Sequence, residues 1–119
     1  MRLKLQRGCG RKAMRNQKPD SLIQQLATIL RERFGSHIVK VFLFGSRARG
    51  DCGPDSDYDV LILLDHITKE IADEIDEIVW QIGWDNDALI TAIVHDEKTF
   101  ETHVYEPLFI NVRKEGITL

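Results

Sequence analysis

Two apolar runs, residues 39–44 and 60–64, dominate the pattern of hydrophobic and polar positions along the chain. Both are rich in the β-branched and aromatic side chains that favour buried strands, so they predict strands over residues 38–44 and 57–64. The intervening residues 45–56 are rich in Gly, Asp and Ser, which are residue types of turns. The pattern therefore predicts a strand, a polar turn and a second strand in direct succession.

Apolar positions at helical spacing lie on both sides of these strands. Residues 21–34 predict a helix that ends at Gly35, and residues 67–82 predict a second, amphipathic helix. The remaining predicted elements, in chain order, are a strand over residues 87–95, a short helix over 98–102 and a last helix over 106–114. We therefore expect an α/β (α+β) fold, with a small mixed sheet and helices mainly on one face.

The predicted helix over residues 67–82 carries acidic side chains opposite its apolar positions. Such a face either docks a basic partner or is simply solvated, and charge runs of this kind more often only solvate a helix. Trp80 and Trp84 at the end of this helix are either partner anchors or core aromatics, and the second role is commoner. We expect a solvated acidic face and buried or half-buried tryptophans.

Composition indicates an ordinary globular protein. The chain has 119 residues, 43% hydrophobic and 29% charged, which is enough for one domain with a modest core. No apolar run approaches the ~18 residues of a membrane helix, and no signal peptide is recognisable, so a cytoplasmic protein is expected. Cys9 and Cys52 fit no metal spacing, which favours reduced thiols. The histidines also show no metal spacing and are expected to be structural or surface residues: His37, His66, His95 and His103.

The net charge of −3 is distributed unevenly, with basic residues concentrated at the start of the chain and acidic residues in the rest. Residues 1–18 hold seven basic and no acidic residues, whereas the rest holds nine basic and 19 acidic residues. The basic segment is either a flexible leader or an arm that contacts nucleic acid or an acidic partner. Because it has no interleaved aromatics and the body is acidic, we expect a flexible leader over residues 1–18, a domain over residues 19–119, and no nucleic-acid partner.

Two carboxylates open the second predicted strand. Asp57 and Asp59 are two residues apart, so on a strand they share a face and lie roughly 6.5–7 Å apart along it. Both can therefore point at one spot. Such a pair suits a hard divalent cation such as Mg²⁺, which takes oxygen ligands and completes its shell with water and substrate phosphates.

The turn before the carboxylates supplies groups that bind phosphate. Gly45 lets the backbone approach a ligand closely, and the Ser46 hydroxyl adds a hydrogen-bond donor. If a short helix begins at Ser46, its free N–H groups also face an anion. Arg47 and Arg49 either help to neutralise a triphosphate or are surface arginines of an exposed turn. A metal site beside phosphate donors indicates a nucleoside triphosphate site.

This stretch resembles the signature of the DNA polymerase beta nucleotidyltransferase superfamily, and in particular of its small prokaryotic MNT-type (minimal nucleotidyltransferase) members. That signature has Gly-Ser-x-Ala-x-Gly, a short polar spacer, and Ser-Asp-x-Asp before an apolar strand. In this chain it reads Gly45-Ser46-Arg47-Ala48-Arg49-Gly50 and Ser56-Asp57-Tyr58-Asp59. The joint occurrence of these residues, in order and between two apolar strands, favours the nucleotide site over unrelated turn glycines and strand-edge acids.

The resemblance implies an enzyme in which an acceptor hydroxyl attacks the α-phosphorus of a nucleoside triphosphate, with ATP the expected donor, and pyrophosphate leaves. Asp57 and Asp59 would hold two Mg²⁺ ions, while Gly45 and Ser46 cradle the β and γ phosphates. MNT-type proteins are commonly encoded with a helical HEPN-type partner, which they neutralise as antitoxins. The resemblance thus implies a protein acceptor as readily as a small molecule.

The chain departs from the family pattern at one position. Relatives of polymerase beta often carry a third carboxylate in the third strand, which joins the metal site and accepts the proton of the attacking hydroxyl. The matching position here is Thr91. Asp87 shares the predicted strand face of Thr91 and is the expected substitute, although an exposed or strand-capping aspartate is the alternative. Two function classes therefore stay open: an active nucleotidyltransferase, and a nucleotide- or partner-binding module of the same fold.

Overall fold

The computed structural model describes residues 21–45 and 57–119. Some residues for which the sequence makes predictions lie outside this part of the chain, namely the leader 1–18, Ser46, Arg47 and Arg49. The predictions made for them remain predictions.

Helices and strands follow one another in the order that the sequence predicts. The described elements are helix α1 (Ser21–Phe34), a short 3-10 helix (Gly35–His37), strands β1 (Ile38–Phe44) and β2 (Tyr58–Leu64), helix α2 (Lys69–Asp85), strand β3 (Ile90–Asp96), helices α3 (Glu97–Thr102) and α4 (Pro107–Glu115), and strand β4 (Ile117–Thr118). The hydrophobic pattern does not predict β4, which has two residues and pairs with the end of β1.

Side-chain caps begin two of the helices. The Thr68 hydroxyl accepts the N–H of Ile71 at 3.2 Å at the start of α2, and the Asp96 carboxylate accepts the N–H of Thr99 at 2.8 Å at the start of α3. Hydrogen bonds from the side chain and the backbone of Thr99 hold the pKa of Asp96 below its usual value. Each cap fixes where the chain leaves the sheet.

The described strands form one mixed sheet in the order β3-β2-β1-β4. Strand β1 is antiparallel to both β2 and β4, whereas β2 and β3 are parallel. The parallel pair is possible because α2 carries the chain from the end of β2 back to the level at which β2 begins. The predicted α/β fold with a small mixed sheet is confirmed.

One face of the sheet packs against the two long helices. Alternate residues of β2, among them Val60 and Ile62, are fully buried there against Leu26 of α1 and Ile75 of α2. The next residues along β2, Leu61 and Leu63, point to the opposite face and are also buried. They pack there against the short helices through Phe100, Phe109 and Val112. Strand β2 is therefore buried on both faces, as its continuous apolar run indicates.

Two details of the sequence prediction are wrong. The third strand begins at Ile90 rather than at Asp87, since residues 86–89 form the exit from α2. Trp80 and Trp84 are not core residues: they are 61% and 71% exposed, and their rings stack with centroids 5.5 Å apart. Their positions on α2 fall outside the apolar stripe that contacts the sheet.

Within residues 21–45 and 57–119, no helix is both long and apolar enough to cross a membrane.

Candidate active site

The aspartate pair lies at the start of β2. Asp57 directly precedes the strand and Asp59 is its second residue, and both are half-buried. Tyr58 between them turns its side chain into the core beneath the long helices, and its N–H donates to the carbonyl of Leu89 at 3.0 Å. Because side chains alternate along a strand, Asp57 and Asp59 both project from the opposite face of the sheet.

Asp59 occupies the middle of three neighbouring strands. Its register partners are Phe44, the last residue of β1, and Thr91, the second residue of β3. The next residue on the same face of β2 is Leu61, which is fully buried in the core beneath the short helices. Asp59 therefore marks the point at which this face changes from packed core to an accessible polar site.

Gly45 packs directly against the Asp59 carboxylate. Its φ of +79° belongs to the left-handed region, which glycine enters without steric cost. A Cβ atom built on Gly45 would overlap the Oδ2 atom of Asp59 and lie 3.3 Å from its Cγ. The turn that leaves β1 thus begins with backbone in contact with one of the two predicted metal ligands, and only glycine allows that contact.

The donor set fits the ion predicted from the sequence. Asp57 and Asp59 supply carboxylate oxygens on one face of the sheet, and both are half-buried rather than enclosed. Carboxylate oxygens at a strand end are the hard ligands that Mg²⁺ prefers. Which residues bind metal and nucleotide remains a prediction.

A family comparison decides what kind of domain carries this site. Residues 23–116 match the model of the nucleotidyltransferase domain family. The chain belongs to this family. The match begins in α1 and ends just after α4, so it includes every element that positions the aspartates. The resemblance to nucleotidyltransferases seen in the sequence is confirmed, as is the expectation that the chain is an enzyme.

The chain is also similar to individual proteins. It is 31% identical over 100 residues to "Putative protein adenylyltransferase MJ0604" of Methanocaldococcus jannaschii, a match that covers 84% of this chain and 96% of that protein. Its fold resembles a crystal structure of a toxin–antitoxin with AMP-PNP (TM-score 0.57, 17% identity, 80% of this chain and 70% of that one). It also resembles a structure of tri-AMPylated Shewanella oneidensis HEPN toxin in complex with MNT antitoxin (TM-score 0.53, 16% identity, 85% and 71%). At these identities the solved structures establish the fold alone.

Thr91, the position predicted to match the third carboxylate of the family, has a well-defined place in the sheet. Thr91 lies level with Asp59 on the adjacent parallel strand, so the two side chains are neighbours on one face. Asp87 instead lies in the turn after α2, exposed, with a left-handed φ of 53° and its N–H directed to the carbonyl of Trp84. The shared strand face predicted for Asp87 and Thr91 is therefore wrong, because the strand starts three residues later. Alternation of side chains along β3 therefore does not place Asp87 beside Asp59.

Replacing Gly45 tests the contact with Asp59. We expect Gly45→Ala to weaken binding of ATP with Mg²⁺ at least about tenfold, because the new methyl group must displace a predicted metal ligand, and even outer-shell changes cost about 10–100-fold in metal affinity. Gly35→Ala is the matched control. Gly35 also has a positive φ, of 60°, but among the described residues nothing lies within 4 Å of the place its Cβ would occupy.

Both alanine variants should lose about 1–2 kcal/mol of stability from backbone strain, measured by thermal or urea unfolding. Only Gly45→Ala should lose nucleotide binding in a calorimetric titration. Equal nucleotide binding by the two variants would show that the Gly45 contact with Asp59 does not shape the site.

Proposed function

We propose that this nucleotidyltransferase moves AMP from ATP to a hydroxyl group of a partner protein in a Mg²⁺-dependent reaction. The partner is a small helical HEPN-type toxin, which the modification neutralises. The observation that carries the proposal is the aspartate pair of β2 with Gly45 packed on Asp59, in a chain similar over 84% of its length to a protein named as a protein adenylyltransferase. The described fold is also shared by an MNT antitoxin found with an AMPylated HEPN toxin.

In this reaction the acceptor hydroxyl gives up its proton to water, its oxygen forms a bond to the α-phosphorus of ATP, the bond from that phosphorus to the bridging oxygen breaks, and pyrophosphate leaves. Asp57 and Asp59 would hold the Mg²⁺ ions, two in number as the resemblance implies. Magnesium, when bound, lowers the pKa of a coordinated hydroxyl and neutralises charge on the triphosphate. The backbone of Gly45 keeps the Asp59 carboxylate in place, and Ser46, Arg47 and Arg49 contact the phosphates.

The partner binds near the end of the sheet that carries the aspartates. Helix α2 ends at Asp85, and the chain enters β3 at Ile90, the register partner of Tyr58. The stacked pair Trp80 and Trp84 is therefore exposed at the same end of the sheet as the aspartates. Exposed, stacked tryptophans are typical anchors of a protein interface, because they bury a large apolar area with few rotatable bonds.

A second candidate function is a nucleotide- or partner-binding module of the same fold with weak catalysis. Thr91 favours this function, because the threonine hydroxyl beside Asp59 accepts a proton less readily than a carboxylate at the same position would. In this alternative the chain still binds ATP and the partner, but complex formation alone neutralises the toxin.

A titration of ATP with and without Mg²⁺ tests the nucleotide site of the proposal. We expect Mg²⁺ to tighten ATP binding, and Asp57→Asn to weaken the Mg²⁺-dependent binding at least about tenfold, since a lost ligand costs no less than a lost outer-shell partner. Asp76→Asn, which changes an exposed carboxylate of α2, is the control and should bind normally. ATP binding that is unchanged by Mg²⁺ and by Asp57→Asn would refute the proposed nucleotide site.

A further inference from the structure

A second cluster of metal-binding side chains lies at the other end of the β1–β2 pair. His37 directly precedes β1, and Asp65 and His66 directly follow β2. Ile38 is the register partner of Leu64, and the Asp65 N–H donates to the His37 carbonyl at 3.1 Å. Antiparallel pairing therefore brings together residues that are 28 positions apart in the chain.

The Asp65 carboxylate lies between the two imidazoles. The Nδ1 atom of His37 lies 3.1 and 3.0 Å from its two oxygens, and the Nδ1 atom of His66 lies 3.3 Å from Oδ1. One ligand atom from each residue lies within 4.8 Å of the other two. The imidazole rings are perpendicular, with centroids 5.5 Å apart, and the nitrogen–oxygen distances show that both Nδ1 atoms face the same carboxylate.

Hydrogen bonds fix the position of the Asp65 carboxylate, whose two oxygens both lie within hydrogen-bond distance of the His37 Nδ1 atom. The His66 N–H donates to Asp65 Oδ1 at 2.7 Å, which fixes the orientation of the carboxylate. All three side chains are partly exposed, so an ion and its water ligands have access.

We propose that His37, Asp65 and His66 form a binding site for Zn²⁺, with water completing a tetrahedral shell. Two imidazole nitrogens and one carboxylate are ligands that zinc prefers, whereas Mg²⁺ prefers oxygen ligands alone. Ligand atoms around a tetrahedral zinc ion lie about 3.3 Å from one another. The Nδ1 atoms of His37 and His66 already lie 3.0–3.3 Å from the Asp65 oxygens.

The site is separate from the nucleotide site. Asp59 and Asp65 are six residues apart along β2, which corresponds to roughly 20 Å of extended chain. Bound zinc would link the start of β1 to the end of β2 and stabilise that edge of the domain. It would supply no group to nucleotidyl transfer. Failure of the zinc proposal would therefore leave the proposed reaction unaffected, and the reverse also holds.

The test is a zinc titration of the metal-free full chain in a Cys9→Ser, Cys52→Ser background, which removes the thiols as competing ligands. We expect one site, and a loss of affinity of at least about tenfold in His37→Gln and in His66→Gln. His103→Gln, which removes an exposed histidine elsewhere, is the control and should bind zinc normally. Zinc at about 100 times its Kd should raise the melting temperature of the background protein and the control by about 10 °C, and that of the two ligand variants, at the same zinc concentration, by no more than about half as much.

A second measurement needs no ligand variant. Zinc should shift the imidazole ¹⁵N resonances assigned to His37 and His66, and leave those of His103 unchanged. Absence of zinc binding, equal binding by the two ligand variants and the control, or zinc-induced shifts confined to other histidines would each overturn the proposal.

Discussion

Asp59→Asn should abolish transfer of AMP to the partner, lowering the rate at least about 10³-fold, because loss of a metal ligand removes several kcal/mol of transition-state stabilisation. Asparagine has the shape of aspartate, so the contact with Gly45 and the position between Phe44 and Thr91 should survive. The measurement is the incorporation of label from α-³²P-ATP into the protein encoded by the adjacent gene.

Asp76→Asn is the matched control for this result. It makes the same chemical change at an exposed position on the outer side of α2, so the rate should stay within a factor of about two and the melting temperature should barely move. Transfer by Asp59→Asn at the rate of the Asp76→Asn control would remove Asp59 from the proposed machinery.

Thr91→Asp should raise the transfer rate by about 10²–10⁴-fold, the range that a positioned general base contributes. Thr91 lies level with Asp59 on the adjacent strand, about 4.8 Å away, so a carboxylate introduced there would reach the same spot as the aspartate pair. Thr91 is exposed and aspartate has nearly the same volume as threonine, so the new side chain should fit without repacking. The rate is followed by the same labelled-ATP assay at saturating Mg²⁺.

Thr91→Asn separates charge from shape in this experiment and should leave the rate nearly unchanged. Asp87→Asn distinguishes the remaining alternative. If Asp87 is the general base after all, its replacement should be the damaging change and Thr91→Asp should do little. From the position of Asp87 in the exposed turn after α2, we expect Asp87→Asn to retain activity.

Much of the fold could be predicted because the strongest sequence signals are local. β1 is predicted with its observed bounds, and β2 is predicted with one residue too many, because each is a mainly apolar run bounded by polar residues. The order of helices and strands followed from apolar spacing alone. The two-residue strand β4 could not be predicted, since it is defined only by its pairing with β1 across the chain.

The residues of the candidate site could be predicted from a local motif, but the contacts between them could not. Gly45 and Asp59 were named from the motif, but their contact depends on how β1 and β2 pair. The start of β3 was misplaced because alternation was extended from Ile90 back into the polar exit from α2, where Asp87 adopts a left-handed turn. The local pattern of apolar and polar residues does not indicate where the turn between α2 and β3 ends.

Long-range pairing also explains why the histidine cluster could not be predicted from spacing. His37 and His66 have no metal spacing in the sequence, yet the register of β1 with β2 brings His37 to Asp65, which His66 directly follows. The available signal was the position of each residue at a strand end: in an antiparallel pair, the residue before one strand meets the residue after the other.

Intact-mass spectrometry of the partner tests most directly whether the chain transfers AMP to a protein hydroxyl, as we propose. The chain is incubated with ATP, Mg²⁺ and the protein encoded by the adjacent gene, beside an Asp59→Asn reaction. The proposal predicts a partner heavier by one or more AMP groups, attached to hydroxyl side chains, in the first reaction only. An unmodified partner in a stable complex that survives Asp59→Asn would contradict it and favour the binding module.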